Sequence, residues 1–139
     1  RHTELLEHSF TRLADFSNPP RLVSCKDPLE EEGCCSGVFH IDDASIVFAA
    51  SDALSHYVLM MYELSKSAEF ESELMELRMK RTSNSQLLQM AEKEVFMFYD
   101  DVLSPLLRSV DSEANFKELM ESLYVKKLID IDDYTLAIL

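Results

Sequence analysis

The sequence has very little glycine, and its two glycines, Gly33 and Gly37, lie close together. Glycine adopts positive φ angles most easily, and tight hairpin turns and phosphate-binding loops require such angles. A chain of 139 residues with two glycines is therefore a poor candidate for a multi-stranded barrel or a nucleotide-binding loop. It also contains no G-x-S-x-G nucleophile elbow.

Basic residues and long apolar runs are also scarce. Lys and Arg number 13 against 26 Asp and Glu, which gives a net charge of −13. This charge repels phosphate backbones, so we expect no nucleic-acid partner. The longest apolar stretches, residues 46–50 and 57–62, are far shorter than the roughly 20 residues of a membrane-spanning helix, so we expect no membrane span.

The three cysteines, Cys25, Cys34 and Cys35, do not form a disulfide framework, because their number is odd and two are adjacent. We therefore expect an intracellular location, cytoplasm or nucleus, where thiols stay reduced. With His40 they give the spacing C-x8-C-C-x4-H, which in principle supplies four zinc ligands. Structural zinc sites use ligand pairs two to four residues apart, so we predict no metal and no cofactor.

What is present is apolar content, at 47% of the chain, enough for one domain with a real core. Because residue 1 is Arg rather than Met, we interpret residues 1–139 as a single domain of a larger protein. Any targeting sequence could then lie outside it. Residues 19–39 hold three of the four prolines, both glycines and all three cysteines. This composition predicts one long loop.

Apolar residues recur at helical spacing through the remaining chain, and no segment alternates as a strand would. The pattern predicts an all-α fold, a compact bundle of about five to six helices. Pro105 predicts a kink or a new helix start about one turn earlier. The predicted helices are residues 1–16, one from Asp42 or Asp43 to a break near 66–67, one through Arg81, one from Ser83 to 102, one capped by Asp111 or Ser112, and a short last one opening at 130–133.

Two groups of polar residues suggest chemistry but have simpler interpretations. Asp52 and His56 are four residues apart on one helix face. We interpret them as a hydrogen-bonded pair on the helix surface rather than as a general base with its orienting acid. The acidic turn at 130–133 resembles the start of a calcium loop, but Thr135 occupies the position that needs glycine. We interpret those aspartates as helix caps and predict no catalytic residues and no enzyme.

Two tracts, residues 57–62 and 95–99, carry more apolar side chains than one buried face holds. We expect the surplus to be covered by a second copy of the domain, by a partner helix or by the loop at 19–39. The sequence thus predicts a non-catalytic protein–protein interaction module, an adaptor or scaffold or a dimerisation domain, with an apolar helical surface. The alternative is a helical ligand-binding domain with a Met- and Phe-lined pocket for an apolar small molecule. The predicted partner-binding residues are Tyr57, Met60, Met61, Phe96 and Tyr99.

Overall fold

A computed structural model describes residues 3–6, 8, 12–18, 26 and 36–139. Within them the chain is mostly helical with one short two-stranded sheet, which confirms the helical fold class. The predicted loop at 19–39, with its three cysteines, lies outside the described residues except for Lys26 and residues 36–39. The elements are a 3₁₀ helix (Leu13–Ser17), β1 (Phe48–Ala50), α1 (Asp52–Ser65), α2 (Glu71–Met79), α3 (Ser83–Ala91), a π-helical segment (Phe98–Leu103), α4 (Ser104–Ser109), α5 (Glu113–Val125) and β2 (Leu136–Ile138).

Helix α1 forms the centre of the core. Every residue from 56 to 63 is buried, as expected for a helix that is apolar on most of its sides. The 3₁₀ helix and the π-helical segment pack against it. The ring of Tyr62 contacts the rings of Phe70 and Phe98, with centroids 5.8 and 5.3 Å away. The chain thus covers the apolar tract at 57–62 by itself.

The predicted start of the second helix at Asp42 or Asp43 is wrong, because α1 begins at Asp52. Asp42 instead closes a turn, in which its Oδ1 accepts hydrogen bonds from the Ala44 N–H at 3.0 Å and the Ser45 hydroxyl at 2.8 Å. Short polar side chains favour helix caps and such turns alike, so the residue type does not distinguish the two.

The sheet replaces helix at two places that the sequence predicted to be helical. Strand β1 lies inside the predicted second helix, and β2 occupies the predicted last helix, which residues 130–133 do not open. The strands are antiparallel, with Ala49 opposite Ala137, and the Ser51 N–H extends the pairing to the Thr135 carbonyl at 3.0 Å. Three-residue strands are too short to show the alternation that identifies strands in a sequence.

The predicted first helix is also wrong over most of its length. Of residues 1–16, the described part is helical only in the 3₁₀ helix. Leu6 is exposed, so the apolar stripe that predicted the helix is not packed against the core, and isolated short helices gain little stability without packing. The 3₁₀ helix is held on α2 by Arg12, whose guanidinium contacts Glu76 at 3.1 Å, and by the Lys80 ammonium, which donates to the Ala14 carbonyl.

The predicted helix from 83 to 102 is interrupted. Helix α3 ends at Ala91, and residues 92–97 are not helical. Three charged residues at 92–94 break the apolar face that a continuous helix would bury. The change expected near Pro105 is present, because α4 begins at Ser104 with Pro105 in its first turn, where a missing N–H leaves no helical carbonyl without a partner.

Other predicted boundaries are confirmed. Helix α1 ends at Ser65, and a turn separates it from α2. Ser112 caps α5 by accepting a hydrogen bond from the Asn115 N–H at 3.2 Å. No helix in the described ranges is long and apolar enough to cross a membrane.

The scarcity of glycine has a structural consequence at two helix ends. Arg81 follows α2 with φ 50°, and Lys127 follows α5 with φ 58°. Both positions have the left-handed conformation that glycine adopts most easily, and a side chain there costs roughly 1–2 kcal/mol.

Candidate functional site

The residues predicted to bind a partner divide between the core and the partly covered surface. Tyr57, Met60 and Met61 are 2%, 0% and 2% exposed, whereas Phe96 and Tyr99 are half-buried. The three α1 residues are therefore not a surface surplus, because the chain buries them itself. Partner binding at these five positions stays a prediction, and Phe96 and Tyr99 are the two that a partner could reach with α1 in place.

Large apolar side chains are exposed instead in the segment that precedes β1. Val38, Phe39 and Ile41 are 94%, 51% and 64% exposed. Residues 36–41 are neither helical nor paired in the sheet, and no backbone hydrogen bond joins them to another described residue. We call residues 36–43 the docking segment, since exposed apolar groups and an unpaired backbone are what strand addition to another sheet requires.

The docking segment ends in two carboxylates, Asp42 and Asp43, both exposed. Hydrogen bonds from the Ser45 hydroxyl and then the Ala44 amide hold the pKa of Asp42 below its usual value. The negative charge of Asp42 is therefore fixed directly beside the apolar side chains.

A cavity of about 170 Å³ lies beside the first turn of α1. A second pocket, of about 310 Å³, lies between α4 and α5. The first is lined by Phe16, Asp52, Ala53, His56, Ser83, Asn84, Leu87, Ile129, Asp130, Ile131, Asp132 and Tyr134. The second is lined by Pro105, Arg108, Ser109, Asn115, Glu118, Leu119 and Ser122. Neither lining contains methionine, so neither is the Met- and Phe-lined pocket of the alternative prediction.

His56 lies in the wall of the first cavity, and its predicted place on the helix surface is wrong. It is 3% exposed, and its Nε2 has no hydrogen-bond partner within the described structure. The Phe16 ring packs edge-on against the imidazole, with centroids 5.4 Å apart. Burial lowers the pKa of His56 to about 4, so the ring is neutral at pH 7. Asp52 accepts a hydrogen bond from the Ala53 N–H at 2.9 Å.

Three exposed carboxylates, Asp52, Asp130 and Asp132, form the rim of the same cavity. Their charges act together on Tyr134, whose pKa is raised to about 12 by burial and then by Asp132, Asp130 and Asp52. The Tyr134 hydroxyl donates to the Asp130 carbonyl, which folds the loop before β2 into the cavity wall. The cavity therefore combines a neutral imidazole with a strongly negative rim.

The aspartates of this loop do not cap a helix, contrary to prediction. Asp130 Oδ1 accepts from the Ile131 N–H at 2.8 Å, and Asp132 Oδ1 accepts from the Asp133 N–H at 2.7 Å. Each carboxylate thus stabilises the local turn, while its charge stays at the rim.

The predicted zinc alternative falls largely outside the described residues, because Cys25, Cys34 and Cys35 are not described. His40 is exposed. Among the described side chains, no group of three or more His, Cys, Asp or Glu residues could hold a metal ion.

Glu63 is a second buried titratable group on α1. It is 3% exposed, and its Oε2 has no hydrogen-bond partner within the described structure. Burial, and then the charge of Glu73, raise the pKa of Glu63 to about 7. It lies seven residues after His56, two helical turns along the same face.

Sequence reasoning found one wall of the cavity but not the cavity. The four-residue spacing of Asp52 and His56 placed both on one face of α1. The opposite wall, around Tyr134, lies about 80 residues away in sequence, and no local pattern predicts that distance. Comparisons of the chain with protein-family models, curated proteins and solved structures give no match.

Proposed function

We propose that the chain is a non-catalytic protein–protein interaction module, and that its docking segment adds as a strand to the open edge of a partner's sheet. The observation that carries the proposal is the exposure of Val38, Phe39 and Ile41 on a backbone without pairing among the described residues. In strand addition, backbone hydrogen bonds supply affinity and alternate side chains enter pockets that supply specificity. In an extended segment, Phe39 and Ile41 would share one face and Val38 and His40 the other.

Charge indicates the chemistry of the partner. The chain carries −13, and Asp42 and Asp43 directly follow the apolar residues of the docking segment. A matching surface has an apolar groove beside the sheet edge, with Lys or Arg at the end that receives the two aspartates. The odd number of cysteines supports an intracellular partner.

A second copy of the chain is a poorer occupant of the same surface. Two copies would bring two charges of −13 together, and like charge opposes association. Sedimentation velocity tests this directly: the proposal expects a monomer at micromolar concentration, and a dimer that Ile41→Asp dissociates would replace the basic partner with self-association.

Affinity capture with a matched control variant tests the basic partner. Ile41→Asp places a charge on the docking segment, whereas Val125→Asp makes the same change at another exposed residue, at the end of α5. We expect basic proteins that bind the wild type and Val125→Asp but not Ile41→Asp. Equal binding to all three chains would contradict the proposal.

The mode of binding has its own test in the identified complex. His40→Pro removes one backbone N–H without adding charge, so strand addition predicts weaker binding. Hydrogen exchange should slow at the amides of residues 36–43 when the partner binds. Tyr99→Glu probes the helical surface that the sequence predicted, and loss of binding in that variant with normal binding of Ile41→Asp would move the interface there.

A further inference from the structure

The cavity beside α1 has features that no part of the proposed interaction uses. It is negative at the rim, apolar and aromatic on its walls, and it contains a buried side chain with an unpartnered polar atom. None of its lining residues belongs to the docking segment, so a ligand site in this cavity is independent of the proposed function.

We infer that this cavity binds a small alkylammonium group, with the ammonium among Asp52, Asp130 and Asp132 and the alkyl stem against Phe16 and Leu87. Carboxylates stabilise an ammonium by charge, and aromatic faces and apolar walls hold its methylene groups. Cavities of about 150 Å³ hold a benzene-sized molecule, so 170 Å³ sets the ligand at a few carbon atoms.

His56 is the observation that separates this site from an ordinary acidic surface. A buried polar atom without a partner costs free energy, and native proteins leave few such atoms. Nε2 of the neutral imidazole can accept a hydrogen bond, and the ligand that satisfies both the acceptor and the rim carries N–H groups and a positive charge. An anion would meet three carboxylates, and a neutral alcohol would leave their charge uncompensated.

The three aspartates are prepared for this role without a ligand. Asp52, Asp130 and Asp132 each accept a hydrogen bond from the backbone N–H of the following residue. These hydrogen bonds fix each carboxylate in place, so less ordering is required when a cation binds. Replacement of aspartate by asparagine removes the charge and keeps a side-chain acceptor of similar shape.

The site is tested by titration of the whole chain with n-butylammonium chloride, followed by amide and imidazole ¹⁵N chemical shifts. The matched probe is n-butanol, which has a similar size and no charge. We expect n-butylammonium to give saturable shifts at Ala53, Asn84, Ile131 and the imidazole of His56, and n-butanol to bind more weakly. Equal responses to the two probes, or no saturable shift at these residues, would overturn the inference.

Variants locate the charge. Asp132→Asn should weaken n-butylammonium binding about threefold to tenfold, the effect of one partly exposed ion pair. Asp111→Asn removes an exposed carboxylate outside the cavity and should leave the affinity unchanged. If both variants weaken binding equally, the shifts report general attraction to an acidic surface, and the specific site is wrong.

Two further probes distinguish the sources of the alkylammonium. Nα-acetyl-lysine methylamide presents a lysine side chain as a protein does, and cadaverine is a free diamine. Binding of the blocked lysine indicates a lysine of another protein as the occupant. Binding of cadaverine alone indicates a free amine, and failure of both refutes the site.

Discussion

Glu63 gives the sharpest test of the core, through the pH dependence of stability. Its pKa is about 7 in the folded chain against a usual 4.5, so between these pH values the folded state holds a proton that the unfolded state has released. The free energy of unfolding therefore contains a contribution that is fully present below pH 4.5 and is lost as pH rises through 7. A pKa difference of about 2.5 corresponds to about 3 kcal/mol.

His56 acts in the opposite direction over nearly the same range. Its pKa falls from 6.5 to about 4 on folding, so the unfolded state binds the extra proton, and stability rises with pH between 4 and 6.5. The two contributions have similar size and opposite sign, and the wild-type profile conceals both. Glu63→Gln removes one, so we expect the variant to match the wild type near pH 4.5 and to be about 3 kcal/mol more stable at pH 8.

Urea unfolding followed by circular dichroism at half-unit steps from pH 4.5 to 8 measures this difference. Glu118→Gln is the control, because Glu118 is an exposed residue of α5 and its replacement should give a pH-independent difference. A Glu63→Gln difference that stays constant across the range would refute the reasoning, because it would mean that Glu63 reaches water or has a partner when folded.

Three further predictions concern packing and helix ends, each measured by urea unfolding at pH 7. Leu54→Ala should cost about 2–5 kcal/mol, since Leu54 is fully buried and its truncation leaves a cavity. Ser112→Ala should cost about 1 kcal/mol through loss of the cap to the Asn115 N–H, and Ser112→Asp should restore it. Lys127→Gly should stabilise by about 1 kcal/mol, because glycine fits the left-handed φ of 58°; a loss of stability would show that the lysine side chain contributes there.

The helices most accessible to sequence reasoning are those with long apolar stripes and clear end signals. Helix α1 is so apolar that its central position follows from composition, and Ser112 marks the start of α5 by its chemistry. The failures lie where the same residue type serves two structures. Asp42 closes a turn instead of capping a helix, and the choice depends on whether the following residues can bury an apolar face.

The candidate site was less predictable than the fold because long-range pairing creates it. Tyr57, Met60 and Met61 were selected as surplus apolar groups on the assumption that one helix buries one face. In the structure the 3₁₀ helix and the π-helical segment pack around α1, and residues 56–63 are buried all round. The position of a covering segment depends on packing between distant parts of the chain, which periodicity does not contain.

Pairing of β1 with β2 connects the two candidate surfaces. Strand β1 joins the docking segment to α1, and β2 follows the loop that carries Asp130 and Tyr134. The Ser51 N–H donates to the Thr135 carbonyl at 3.0 Å, and the Thr135 N–H donates to the Ser51 hydroxyl at 3.3 Å. These hydrogen bonds hold the acidic loop against the first turn of α1, where His56 lies. A partner strand added beside β1 would therefore act on the same short sheet that positions the rim of the cavity.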